Sequence, residues 1–111
     1  MRILDRIGTI NLKTLMFDID GTLCNQEEND YMKATPFIER IKKINDFSKN
    51  GIYVKLFTSR GITSGKDWTI QTRQQLDYWG LNYDELIFGK PHYDLFIDDK
   101  SVNSEDFPWA N

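Results

Sequence analysis

Two aspartates one residue apart, Asp18 and Asp20, close the run Leu15-Met16-Phe17-Asp18-Ile19-Asp20-Gly21-Thr22-Leu23. The apolar residues before them predict a buried strand. The carboxylates then fall at its carboxyl end, the edge where open α/β sheets bind ligands. Carboxylates crowded together need a cation between them, or one of them must keep a proton. Taken alone, D-x-D-G describes a loop pair opening a turn on Gly21 equally well. Three later stretches change the balance: Leu56-Phe57-Thr58-Ser59-Arg60, Gly89-Lys90-Pro91 and Phe96-Ile97-Asp98-Asp99. Each sets a phosphate- or metal-handling group at or just after a short apolar run.

In this order the four stretches resemble the haloacid dehalogenase-like (HAD) phosphatase superfamily, over residues 12–100. Its motifs are D-x-D-G-T, a Thr or Ser after a strand, a Lys, and an acidic pair after a strand. The resemblance implies Asp18 as the nucleophile that forms an aspartyl-phosphate. It implies Asp20 as general acid for the leaving alkoxide, then as base for water. Thr58 would hold a phosphoryl oxygen, and Lys90 would neutralise the transferring group. Gly21, Thr22, Ser59 and Arg60 are expected to contact substrate, with amides around Ile19 to Thr22 offering an anion nest. Arg60 has two readings, a clamp on substrate anions or a partner for a structural carboxylate. Asp18, Asp20, Asp98 and Asp99 are the expected metal ligands, with Asp99 favoured over Asp98 for direct contact. An all-oxygen set suits Mg2+, and one Cys with one His makes no transition-metal site.

These residues need a scaffold that brings them to one edge. Strands are predicted at Leu12 to Phe17, Ile52 to Phe57, Leu86 to Phe88 and Leu95 to Ile97. Between them, Phe37, Ile41, Ile44 and Phe47 recur at helical spacing, as do Trp68, Thr72, Leu76 and Trp79. Thr35-Pro36 is the expected start of the first helix and Asn50-Gly51 its stop. Gly80 closes the second helix. Strands alternating with helices predict a parallel sheet with right-handed crossovers. The resemblance implies a Rossmann-like three-layer sandwich with strand order 3-2-1-4. The acidic pair would then meet Asp18 at the topological switch point. Ile3, Leu4, Ile7 and Ile10 suit a surface-packed segment or an added edge strand. The polar run from Asn25 to Tyr31 reads as a flap, and Phe107, Pro108 and Trp109 as a tail returning to the core.

The chain has 111 residues, which predicts one domain over 1–111. Caps in this superfamily are inserted between the first motif and the next helix, or between the second and third motifs. The gap from Leu23 to Thr35 is too short for a cap, and the one from Ser59 to Gly89 is consumed by core elements. A capless site follows, in which loops, a bulky substrate or a neighbouring subunit of a homo-oligomer must exclude water. Mutase chemistry, which must retain its intermediate, is disfavoured. In length and in T-S-R-G and G-K-P the chain is similar to short HAD phosphatases found with bacterial surface-polysaccharide genes. That implies a small phosphorylated metabolite such as a sugar or polyol phosphate.

A net charge of −3 offers no basic face, which argues against nucleic acid and so against a polynucleotide 3′-phosphatase. A receiver-type phosphoacceptor module has its acidic pair before the phosphorylated aspartate; here the acidic pair comes last. The single cysteine, Cys24, permits no intrachain disulfide. No signal-peptide pattern or membrane span is predicted, so the cytoplasm is the expected location. Cys24 itself reads as a packed side chain, and His92 as a surface residue.

Overall fold

The computed structural model describes residues 12–27 and 30–110. The expectations for residues 1–11, and for positions 28 and 29 of the flap, lie outside the described residues. Three strands form one parallel sheet: β1 (Thr14–Asp18), β2 (Tyr53–Thr58) and β3 (Glu85–Phe88). β2 is central, with Asp18 opposite Phe57 and Thr58 opposite Phe88. The order 3-2-1 agrees with that part of the predicted topology.

Helix α1 (Ile38–Lys49) links β1 to β2, and α2 (Thr69–Tyr78) links β2 to β3. Successive strands step in one direction across the sheet. Right-handed crossovers on such a path lie on the same face. The burial pattern follows: Val54 and Leu56 are fully buried together with Ile44 of α1 and Leu76 of α2 in one core. Phe17, Ile19, Leu23, Cys24, Ala34, Ile41 and Leu81 complete it, with Leu15 and Leu86 packed against it. The opposite sheet face carries Met16, Tyr53, Lys55, Phe57, Glu85 and Ile87, with Met16 and Tyr53 exposed. Among the described residues no helix covers that face, so the expected three layers are two.

Two expectations about elements are corrected. Helix α1 starts at Ile38, with Phe37 as its cap, and not at Thr35-Pro36. Residues 35–37 are drawn instead into pairing with the turn after β1. Thr35 N donates to Asn25 Oδ1 at 2.7 Å, Phe37 N donates to the Leu23 carbonyl at 2.8 Å, and Pro36 forms a bridge with Cys24. Chain committed to a bridge cannot also turn helically. The predicted fourth strand is also missing, since Leu95 to Ile97 form no ladder and residues 91–100 are exposed. An apolar run becomes a strand only where an edge accepts its amides. Here the run lies away from the sheet. The chain then returns, and Phe107 and Trp109 pack on Phe17 at ring separations of 6.2 and 5.8 Å. The tail therefore folds back on the core as its sequence predicts.

Arg40 of α1 ties this tail to the turn after β1. Its Nη1 donates to the Thr22 carbonyl at 2.9 Å, its Nη2 pairs with Glu105 at 3.2 Å, and its guanidinium stacks on Trp109.

Gly61 has φ +86° after β2, and a Cβ there would run into the Lys66 carbonyl oxygen. Gly80 has φ +74° with open space around it. Gly80→Ala is expected to cost about 1 kcal/mol for left-handed backbone alone. Gly61→Ala, which adds the collision, is expected to cost about 3 kcal/mol. Urea unfolding of the two variants measures the difference.

Candidate functional site

β1, β2 and the segment after β3 all deliver polar groups to the carboxyl edge of the sheet. Asp18 is the last residue of β1, and its side chain keeps 31% of its surface exposed. Lys90 Nζ lies 3.1 Å from its Oδ1, and Thr22 Oγ1 donates to its Oδ2 at 3.3 Å. Lys90 is positioned by its own backbone, whose amide donates to the Thr58 carbonyl at 3.1 Å. Burial works against the Lys90 charge. The Asp18 carboxylate and the Tyr93 hydroxyl outweigh it and hold the ammonium above its ordinary value. Lys90 is therefore a fixed cation at neutral pH.

Asp20 faces a different partner. Arg60 Nε and Nη2 donate to its two oxygens, each at 2.9 Å, in the two-pronged geometry that makes such pairs strong. The Arg60 side chain has no exposed surface. Its Nη1 donates to Gln75 Oε1 at 2.8 Å and Thr72 Oγ1 at 3.2 Å, and the Tyr31 ring lies over it. Gln75 Nε2 in turn donates to the Tyr31 carbonyl at 2.8 Å. Of its two predicted roles, Arg60 takes the structural pairing; a guanidinium so enclosed has no face left for a substrate anion. Thr72, Gln75 and Tyr31 were not foreseen as parts of this network. The signal was present in α2, where Thr72 and Gln75 share the buried face with Leu76.

Thr58 is buried at the end of β2, and its hydroxyl accepts the Arg60 amide at 3.1 Å. Its own proton is left to donate. Ser59 follows, with its carbonyl accepting the Ile62 amide. Gly21 supplies the left-handed turn at φ +87°. The expected anion nest is reduced, because the Gly21 amide bonds to the Cys24 carbonyl and the Thr22 amide to the Ile19 carbonyl. Cys24 is fully buried, and burial, then the Asp20 charge, push its thiol up to about 12. It stays protonated and is no nucleophile. His92 bonds to Thr63 at 2.9 Å on the exposed surface, tying the loop after β2 to the segment after Lys90.

The acidic pair lies on the exposed segment after β3. Asp98 and Asp99 are exposed on a turn in which Asp98 Oδ2 accepts the Lys100 amide at 3.2 Å. Among the described residues no group of three or more acidic, His or Cys side chains is arranged to hold a metal ion. Among the described residues, then, Asp18 and Asp20 at the sheet edge are not brought together with Asp98 and Asp99 on the exposed turn. Asp18 and Asp20 each face a cationic side chain, and the fourth stretch never reaches the sheet edge because its strand is absent.

No family model matches the chain, and no curated protein sequence does. Solved structures do. A Vibrio cholerae protein determined as an MCSG target is 28% identical over 90% of either chain, with a TM-score of 0.76. A chain of the Pnkp1/Rnl/Hen1 complex matches at 18% identity and TM-score 0.56, over 80% of this chain and 31% of that one. A D,D-heptose 1.7-bisphosphate phosphatase from B. bronchiseptica, crystallised with magnesium and phosphate, matches at 18% and 0.56. That alignment covers 81% of this chain and 54% of the phosphatase. These likenesses show the class of the fold, an α/β fold built on a parallel sheet that the chain shares with the heptose bisphosphate phosphatase.

Removing the guanidinium would leave the Asp20 carboxylate, Thr72 and Gln75 without their shared partner. Arg60→Leu is expected to lower stability by about 3 kcal/mol. Adding Asp20→Asn should return part of that loss, measured as a double-mutant cycle in urea. Lys90 carries a sign for pH. Its folded-state value lies above the ordinary 10.5, so its stabilising contribution is full below 10.5 and fades as pH rises through the raised value. The gap in urea midpoint between the natural protein and Lys90→Met should shrink over that alkaline window.

Proposed function

We propose that this chain is a phosphomonoesterase acting on a small phosphorylated metabolite, with Asp18 as nucleophile. The observation that carries the proposal is the Asp18 carboxylate. It is accessible at the sheet edge, with Lys90 at 3.1 Å and Thr22 at 3.3 Å. The HAD-like fold supports the same reading, since it places this carboxylate at the ligand-binding end of β1.

Phosphoryl transfer asks for an in-line nucleophile, cations on the equatorial oxygens and a proton for the leaving oxygen. An Asp18 oxygen attacks phosphorus, and the ester P–O bond breaks with its electron pair leaving on the alcohol oxygen. Lys90 offsets the charge on the transferring group, and the Thr58 hydroxyl has a proton to donate to one of its oxygens. Asp20 gives the alcohol oxygen its proton. Water then attacks the aspartyl-phosphate, passing a proton back to Asp20 and releasing phosphate and Asp18. This role requires Asp20 to part from Arg60 at one oxygen, because a protonated oxygen facing N–H groups sets donor against donor.

Mg2+ belongs to the sequence-based expectation. Among the described residues no three carboxylates assemble a site for it, so no step above runs through it. The substrate class rests on the capless core, the acidic surface and the fold shared with a sugar bisphosphate phosphatase. A role in polysaccharide biosynthesis is the narrower form of the same proposal. None of the described helices is long and apolar enough to cross a membrane.

Phosphate release from p-nitrophenyl phosphate and a panel of sugar and polyol phosphates tests the reading. Asp18→Asn is expected to fall to about a thousandth of the natural rate or less, as loss of a nucleophile does. Lys90→Met is expected to fall by about 10²–10³ with folding intact by circular dichroism. Undiminished turnover in Asp18→Asn would overturn it.

A further inference from the structure

We infer that the segment 91–103 is exchanged between two copies of this chain, so that each copy's Asp98-Asp99 completes the other's Asp18 site. The inference rests on the phosphatase reading for the purpose of the exchange, and on four observations for its geometry. First, Leu95, Phe96 and Ile97 are 75%, 57% and 83% exposed, joined by Tyr93 and Val102. A contiguous apolar stretch of this kind marks an interaction surface. Second, both ends of the segment are held by their own chain: Lys90 on Asp18 and Thr58, Phe107 and Trp109 on Phe17. The segment is an arm that projects from a fixed base.

Third, among the described residues β1 is hydrogen-bonded along one edge only, to β2. The sheet face carrying Met16, Phe57 and Ile87 is likewise without a covering element among those residues. Parallel sheets are normally covered on both faces, and an open strand edge is a template for another strand. Fourth, the charges match. An apolar run laid parallel beside β1 carries the two residues that follow it to the carboxyl end of that strand. Asp98-Asp99 would arrive beside Asp18 and meet the Lys90 ammonium.

The occupant that satisfies all four is a second copy. Among the described residues each copy holds one arm and one open edge, so a two-fold pairing closes both at once and leaves nothing to propagate. It also resolves the missing donor set. Asp18 from one copy and Asp98 and Asp99 from the other give the all-oxygen environment that a divalent cation such as Mg2+ takes, while both Asp20 oxygens stay on Arg60.

Three measurements decide it. Light scattering after size exclusion should give a dimer for the natural protein and a folded monomer for Leu95→Asp/Ile97→Asp, whose sites are exposed in the single chain. A zero-length carbodiimide applied to 15N-labelled and unlabelled protein unfolded, mixed and refolded together should join Asp98 or Asp99 to Lys90 across the two isotopes in about half of the dimers. Asp18→Asn and Asp98→Asn/Asp99→Asn should each be inactive. Refolded together in equal amounts, they should regain about a quarter of natural activity, since half the dimers are mixed and one of their two sites is whole. A monomeric natural protein overturns the inference. So does a dimer whose Asp98 or Asp99 links form within one isotope only, because the arm then closes on its own chain. A dimer with mixed-isotope links but no turnover of any phosphate ester upholds the exchange and removes the phosphatase reading.

Discussion

The interaction on which the site depends is the buried fork between Arg60 and Asp20. A guanidinium without solvent must find partners for its donors inside the protein. Arg60 finds them on Asp20, Thr72 and Gln75, with the Tyr31 ring above. One side chain thus joins the end of β2, the turn after β1, helix α2 and the base of the flap. None of these can shift without unpairing a buried charge. The Asp18–Lys90 pair stands beside this frame at the same sheet edge, partly open to water. Rigidity is placed behind the Asp18 carboxylate and access in front of it, the arrangement that a preorganised site needs.

The framework was largely legible in the sequence because its signals are local. Leu56 and Thr58 alternate with Phe57, and the Ile41–Ile44 spacing is helical, so β2 and α1 could be read from period alone. The failures all involve contacts between distant parts of the chain. Thr35-Pro36 looks like a helix start, but pairing with Asn25 and Cys24 claims it for a bridge. Leu95-Phe96-Ile97 looks like a strand, yet a strand also needs an edge, and apolar composition does not say whose. Arg60 had two readings because a guanidinium suits a substrate anion and a carboxylate equally; only burial separates them. Gln75 gives no signal in the sequence, because a polar residue on an apolar helix face looks like noise until its partner is known.

The sheet's asymmetry has a topological origin. Three strands laid down in one direction with right-handed crossovers send both helices to one side. The core, from Val54 and Leu56 to Ile44 and Leu76, lies entirely there. A chain that reverses direction after β3 would begin the second layer. In this protein the residues after β3 instead pass through Lys90 and travel outward, and the tail returns to the side already covered.

The Arg40 contacts have a practical meaning for anyone handling the protein. One guanidinium grips the Thr22 carbonyl, four residues beyond Asp18, and also holds Glu105 and the Trp109 ring. The turn after β1 and the stretch around Glu105 and Trp109 therefore share a mechanical link. A purification tag, a fusion or a proteolytic nick near residue 105 tugs on the same link, and Trp109 makes the disturbance visible as a change in tryptophan emission.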